Sequence, residues 1–310
     1  MRLQRFLCAL LCAILCLAPL TAAQAEEVRV VASFYPIYAL AANLLEGVPG
    51  VTLASLAPPS TGCLHDVALL PGDLQALLHA DVLLVNGAGM ESYLDDVLEE
   101  FPFLPIVDAS VGVELLPNAE HDDPDDHDDH NHGECNAHLW LSVPNAERML
   151  RNLCDGLTEM LPEQAEAITA NRDAYLARLS ALDAELRQTL APYEGREMVT
   201  FHAAFAYFAH EYGLTVLATL VEEPESSLSA GELASLCALV KEHGAPPLFV
   251  EPAYDQSAAE VLAAETGARV YTLDPATTGA LDTTALAHYE EAMRQNARTL
   301  VQAFAGESGE

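Results

Sequence analysis

Residues 162–190 contain no glycine and, after Pro162, no proline, and their apolar side chains Ile168, Tyr175, Leu179, Leu182, Leu186 and Leu190 recur at helical spacing. Such a stretch predicts one helix of roughly 40 Å at ~1.5 Å per residue. Pro162 is placed to open the helix and Pro192 to stop it. A helix of that length is long enough to run along two domains. It also restrains them, as a glycine-rich hinge would not, so the expectation is two lobes at a nearly fixed spacing with a cleft between.

On either side of this helix the same pattern appears twice. Short apolar runs at 28–34, 51–57, 82–86 and 105–107 alternate with helical patterns at 36–46, 71–79 and 90–100, and a helix follows at 143–160. After the linker come runs at 197–201, 215–219, 248–250 and 269–273, with helical patterns at 203–212, 230–243 and 258–266 and a last one from 284 to about 305. Near-continuous apolar strands in βαβα order imply parallel sheets covered on both faces. The fold class is therefore α/β, with two lobes, each a parallel sheet flanked by helices, joined by one long rigid helix.

The N-terminus sets the compartment. Arg2 and Arg5 precede an apolar run from Phe6 to Leu20, and Ala23-Gln24-Ala25 is a small-x-small cleavage site. This is a secretory signal peptide, too short for a membrane span. Leu15 before Cys16 argues against a lipoprotein signal. The organisation is thus a signal peptide at 1–25, an N-terminal lobe at 26–161, a linking helix at 162–191 and a C-terminal lobe at 192–310, in an exported, periplasmic or otherwise extracytoplasmic chain. The formal net charge of −34 excludes nucleic acid as a natural partner and favours a cationic ligand.

Within the first lobe, residues 120–134 carry four histidines (His121, His127, His130, His132) and eight carboxylates with no apolar side chain. No packed core can be built from that, so a solvated loop is expected at 119–134. Imidazole and carboxylate in such density attract divalent cations weakly. A run of this kind has no preorganisation, and each binding event would cost chain entropy.

Ligands of open parallel sheets bind beyond the carboxyl ends of the strands. Four candidate donors fall there. His65 lies in the loop leaving the second strand, His138 follows the fourth strand through the acidic run, His202 follows Phe201 directly, and Asp274 follows Leu273. Three neutral imidazoles and the Asp274 carboxylate would form a closed four-coordinate zinc site, and a water in place of Asp274 would leave the fourth position open. His79, His210, His243 and His288 fall in or at the ends of predicted helices and read as capping or surface residues.

His65-Asp66 followed by Leu70-Pro-Gly-Asp73, His138-Leu-Trp-Leu-Ser142, Phe201-His-Ala-Ala-Phe-Ala-Tyr-Phe208 with Tyr212-Gly213, and the late motifs Glu251-Pro252 and Leu273-Asp-Pro275 resemble, in order, those of the cluster A-I solute-binding proteins, the metal receptors of bacterial ABC importers. The resemblance spans essentially the whole exported chain. It implies two α/β lobes on one long helix and a metal between them. It also implies a Zn2+ cargo delivered to the transmembrane subunit of an ABC permease by a monomer without enzymatic activity. A His/Asp-rich loop before the second ligand, and histidine at position 202 where manganese members carry a carboxylate, point to the zinc type. A manganese, iron or nickel receptor or a metal-dependent adhesin on the same fold is the alternative. A secreted zinc hydrolase is a remoter one, since no His-Glu-x-x-His occurs.

Two departures stand out. Leu64 precedes the first ligand where relatives often carry proline or an acid. Cys63 and Cys135 lie beside two ligand loops and, in an oxidising compartment, suggest a disulfide stapling them, with thiolate ligation or unpaired thiols as the other possibilities.

Overall fold

The computed structural model describes residues 27–60, 69–118, 135–220, 229–252 and 256–307. The signal peptide, His65, Cys63 and the histidines of the acidic run lie outside these residues.

The first lobe is built from β1 (Val28–Ala32), α1 (Tyr35–Leu45), β2 (Val51–Ser55), α2 (Pro71–Leu78), β3 (Val82–Val85), a short helix α3 (Asp95–Leu98), β4 (Ile106–Asp108) and α4 (Val143–Met160). Its four strands are parallel in the order β2-β1-β3-β4. The linking helix α5 (Ala165–Leu190) follows. The second lobe contains β5 (Glu197–Thr200), α6 (Ala206–Glu211), β6 (Thr215–Thr219), α7 (Ala230–Glu242), β7 (Leu248–Val250), α8 (Ser257–Thr266), β8 (Val270–Thr272) and α9 (Ala285–Glu307). Its sheet repeats the first, with the parallel order β6-β5-β7-β8. The inner strands β3 and β7, Val-Leu-Leu-Val and Leu-Phe-Val, are buried at every residue, as strands covered on both faces must be.

Helix α5 is 26 residues long and buries Ile168, Tyr175, Leu179, Leu182, Leu186 and Leu190, the stripe read from the sequence. It begins at Ala165, because Pro162–Gln164 form a turn closed by a hydrogen bond from Gln164 N to Leu161 O (3.0 Å). The expected helix over 90–100 is also shorter. A 3-10 turn at Ser92–Leu94 precedes the single turn of α3.

One continuous core runs through both lobes. It joins β1, α1 and α4 of the first lobe, the buried face of α5, and Phe205, Phe208, Phe249, Met293 and Phe304 of the second. Arg178 of α5 adds a polar tie. Its guanidinium donates to Asn43 Oδ1 of α1 (3.1 Å) and to Leu286 O of α9 (2.5 Å), and it is ion-paired with buried Glu290. Two smaller clusters fill the outer faces of the two sheets. Near the end of the first lobe, Pro117 and Cys135 form an isolated antiparallel bridge, and Asn136 N donates to Leu116 O (2.8 Å). The acidic run therefore departs from and returns to one point. Among the described residues no helix is long and apolar enough to cross a membrane.

Candidate metal centre

In each sheet the strand order reverses between two inner strands, β1 and β3 in the first lobe and β5 and β7 in the second. The crevice beyond the carboxyl ends of such a pair is where open parallel sheets bind ligands. His202 directly follows Phe201 at the end of β5, and Glu251 directly follows β7. His138 reaches the same place on a buried strap, residues 136–142, that leads into α4.

The two rings meet edge to face, with centroids 4.7 Å apart and planes at 83°. Both are buried, at 3% exposure for His138 and 2% for His202. Each is oriented through Nδ1. His202 Nδ1 lies 3.1 Å from Glu251 Oε1, and His138 Nδ1 lies 3.0 Å from Asn136 Oδ1. A carboxylate only accepts, so Glu251 draws the His202 proton to Nδ1 and leaves the ring's lone pair on Nε2. That is the form in which a neutral imidazole binds a metal.

Asp274 follows β8 and lines a cavity of about 400 Å3 together with Glu251, Ser60 and Thr277. Its Oδ1 accepts from Ala276 N (2.8 Å). Its backbone is clamped by Asn296, which accepts from Asp274 N (2.8 Å) and donates to Asp274 O (2.6 Å). Among the described residues no three His, Cys, Asp or Glu side chains are drawn together as a metal cluster. Of the predicted donors, then, the structure brings His138 and His202 into contact and sets Asp274 in the adjoining cavity. His65, the loop histidines His121, His127, His130 and His132, and Cys63 lie outside the described residues. Cys135, half-buried at the loop anchor, has no disulfide partner among the described residues.

The strap is fastened to the second lobe as well as the first. Trp140 Nε1 donates to Pro275 O (2.7 Å), next to Asp274, and Tyr289 OH donates to Trp140 O (2.7 Å). Asn136 Nδ2 donates to Ala203 O (2.8 Å), and Tyr207 OH donates to Asn136 O (2.8 Å). Across the cleft mouth, Gly279 N donates to Pro59 O (3.0 Å). A side chain at Gly279 would collide with the phenol of buried Tyr35, so only glycine permits this approach.

A second buried group lies behind the strap. The Glu91 carboxylate accepts from Ser33 Oγ (2.7 Å), Asn86 N (2.7 Å) and Gly87 N (3.1 Å), and Asn86 Nδ2 donates to Ala137 O (3.0 Å). Ser33, Asn86 and Gly87 follow β1 and β3, the reversal point of the first sheet. Burial outweighs the three hydrogen bonds and pushes the Glu91 carboxyl up to about 7. Gly87 has φ +78, and a Cβ there would strike the Asp108 carboxylate, so glycine is what brings its N–H to Glu91.

Glu91, Asn136 and the orienting role of Glu251 were not foreseen from sequence, although Glu251 stands at the end of an inner strand, where the reversal rule points. Among the histidines read as capping or surface residues, His243 does end α7 and pairs with Glu197 (3.0 Å), whereas His288 packs its ring against Tyr35.

The family described as zinc-uptake complex component A, periplasmic (ZnuA), matches residues 30–303. The high-affinity zinc uptake system protein ZnuA of Yersinia pestis is 31% identical over 274 residues, covering 81% of this chain and 83% of that protein. A crystal structure of ZnuA superposes with a TM-score of 0.75 at 26% identity, covering 90% of this chain and 99% of that one. The solute-binding protein FpvC of Pseudomonas aeruginosa in complex with Mn2+ gives 0.78 at 24% identity over 92% of this chain and 100% of its own, a likeness of fold alone.

Proposed function

Because the chain belongs to the periplasmic zinc-uptake complex component A family, we propose that it is the extracytoplasmic receptor that captures Zn2+ and delivers it to the transmembrane subunit of an ABC importer. The cargo site is assembled from His65, His138 and His202, with Asp274 as the fourth donor. The observation that carries this reading is the buried His138–His202 pair, one ring from each lobe, with both Nδ1 atoms engaged. Burial excludes competing water, and the engaged Nδ1 atoms direct Nε2 to the ion.

Imidazole donors favour zinc over manganese, which prefers oxygen. A closed set of four protein donors leaves no position for a reactive water, so no catalytic step is assigned. The receptor works as a monomer. Its acidic run binds further zinc weakly, through His121, His127, His130 and His132.

Calorimetry on His138→Ala and His202→Ala tests the site, and each is expected to lose zinc affinity by orders of magnitude. Unchanged tight binding in either would refute the assignment. Deleting residues 120–132 should lower the zinc stoichiometry and spare the tight site. Competition among Zn2+, Mn2+, Fe2+ and Ni2+ separates the zinc receptor from the other metal receptors.

A further inference from the structure

Asn136 is 2% exposed, and each of its polar groups has a partner. Its N–H donates to Leu116 O (2.8 Å) and its carbonyl accepts from Tyr207 OH (2.8 Å). Its side-chain Nδ2 donates to Ala203 O (2.8 Å), while Oδ1 accepts from His138 N (2.9 Å) and faces His138 Nδ1 at 3.0 Å. Two of these partners are one-way. The Ala203 carbonyl can only accept, so the amide NH2 must face it. The His138 backbone N–H can only donate, so the amide oxygen must face that side. The orientation of the amide is therefore fixed from both ends, without reference to the imidazole. With Oδ1 fixed against His138 Nδ1, that nitrogen must carry the proton, and the ring's lone pair is confined to Nε2.

Ala203 is the residue after His202. One amide thus grips the ring of one histidine and the backbone beside the other, across the boundary between lobes. The two histidines are also held by different chemistries, a neutral amide for His138 and a carboxylate for His202. We propose that Asn136 is a positioning residue for ion capture, setting the tautomer and orientation of the His138 ring and tying it to the backbone that carries His202. This rests on the reading that both histidines bind the ion.

The test uses the full exported chain with Asn136→Ala, Asn136→Asp and His138→Ala. Zn2+ affinity is measured by chelator competition, and the visible absorption of the Co2+-substituted protein reports the geometry around the ion. Thermal unfolding of the metal-free proteins controls for folding. Asn136→Ala should bind Zn2+ about 10–100-fold more weakly, the range for loss of a partner that orients a ligand histidine, and should change the Co2+ band positions and intensities. Asn136→Asp gives up the donor to Ala203 O but keeps an acceptor for His138 Nδ1, so it should return to within about tenfold of wild type, with a native-like Co2+ spectrum. If Asn136→Ala does not fold, Asn136→Ser, too short to span both contacts, carries the same expectation.

Zn2+ affinity of the Asn136→Ala or Asn136→Ser protein equal to wild type overturns the proposal. So does weaker binding with an unaltered Co2+ spectrum, or an Asn136→Asp protein as impaired as Asn136→Ala. The underlying reading is judged separately. If His138→Ala binds normally, the site assignment itself fails. If His138→Ala abolishes tight binding and Asn136→Ala does not affect it, only the role of Asn136 fails.

Discussion

Replacing Trp140 by phenylalanine removes one hydrogen bond and part of one ring from the seam between the lobes. The indole is fully buried, stands edge-on to Phe34 with centroids 5.2 Å apart, and lies 5.4 Å from the His138 ring. Phenylalanine preserves an aromatic ring in that slot and the backbone carbonyl that accepts from Tyr289. It cannot donate to Pro275 O, so a buried carbonyl loses its 2.7 Å partner. Stranding such an acceptor costs about 1–3 kcal/mol. The missing ring atoms leave a void on the order of 40 Å3, worth about 1 kcal/mol at ~24 cal/mol per Å3. The sum is a loss of about 2–4 kcal/mol. Because Trp140 is the only tryptophan in the chain, unfolding should be followed by circular dichroism. The urea midpoint of the metal-free protein should fall by about 1 M with an unchanged slope, taking a slope near 3 kcal/mol/M for a chain of this size. A midpoint within about 0.2 M of wild type would mean that the Trp140–Pro275 link contributes little and that the strap is held by its other contacts.

The partner of His202 gives a graded prediction. Glu251→Gln can still accept from Nδ1 without the charge and should weaken zinc binding by about tenfold, and Glu251→Ala by about 100-fold, as read by chelator competition; equal affinities in all three proteins would remove Glu251 from the site. Glu91 predicts a stability slope. Its carboxyl is raised in the folded protein from 4.5 to about 7, so between these values the unfolded chain has released a proton that the folded one keeps. Its stabilising contribution is fully present below about 4.5 and falls by about 3 kcal/mol in all as pH rises through 7. The wild-type minus Glu91→Gln difference in unfolding free energy should therefore decline over that window, and a flat difference would contradict it. Thiol titration of the unfolded, unreduced exported chain tests the staple between Cys63 and Cys135. Two reactive thiols, Cys154 and Cys237, are expected, and four would sink it.

The elements were legible where burial is written into consecutive residues. Strands β3 and β7 are unbroken apolar runs, and the stripe of α5 keeps one phase from Ile168 to Leu190. The place of His202 at the carboxyl end of a strand was legible because it comes two residues after β5. The same local reading failed at 90–100, where Glu91 turns inward to three donors and the chain tightens into a 3-10 turn instead of continuing as a helix. The orienting partners were hidden for a different reason. Asn136 meets Ala203 across 67 positions and Glu251 meets His202 across 49, so these pairings exist only once the strand order is known. Neither asparagine nor glutamate carries a local signal that separates such a role from a solvated one.

The bridge between Pro117 and Cys135 has a consequence for the histidines strung between them. No residue of that run is more than nine positions from one of its two anchors. At a maximum of ~3.6 Å per residue, none can stray beyond about 30 Å of the bridge. One set of imidazoles confined to a sphere of that radius amounts to an effective concentration on the order of 10 mM. Cys135 is three residues from His138, so that concentration is centred within about 11 Å of it. In the proposed receptor, an ion released from a loop imidazole would begin its next encounter within a few nanometres of the buried pair. On the proposed reading, even weak ligands tethered in this way would raise the frequency with which zinc meets the site, while the depth of its binding would remain set by the ordered side chains beneath.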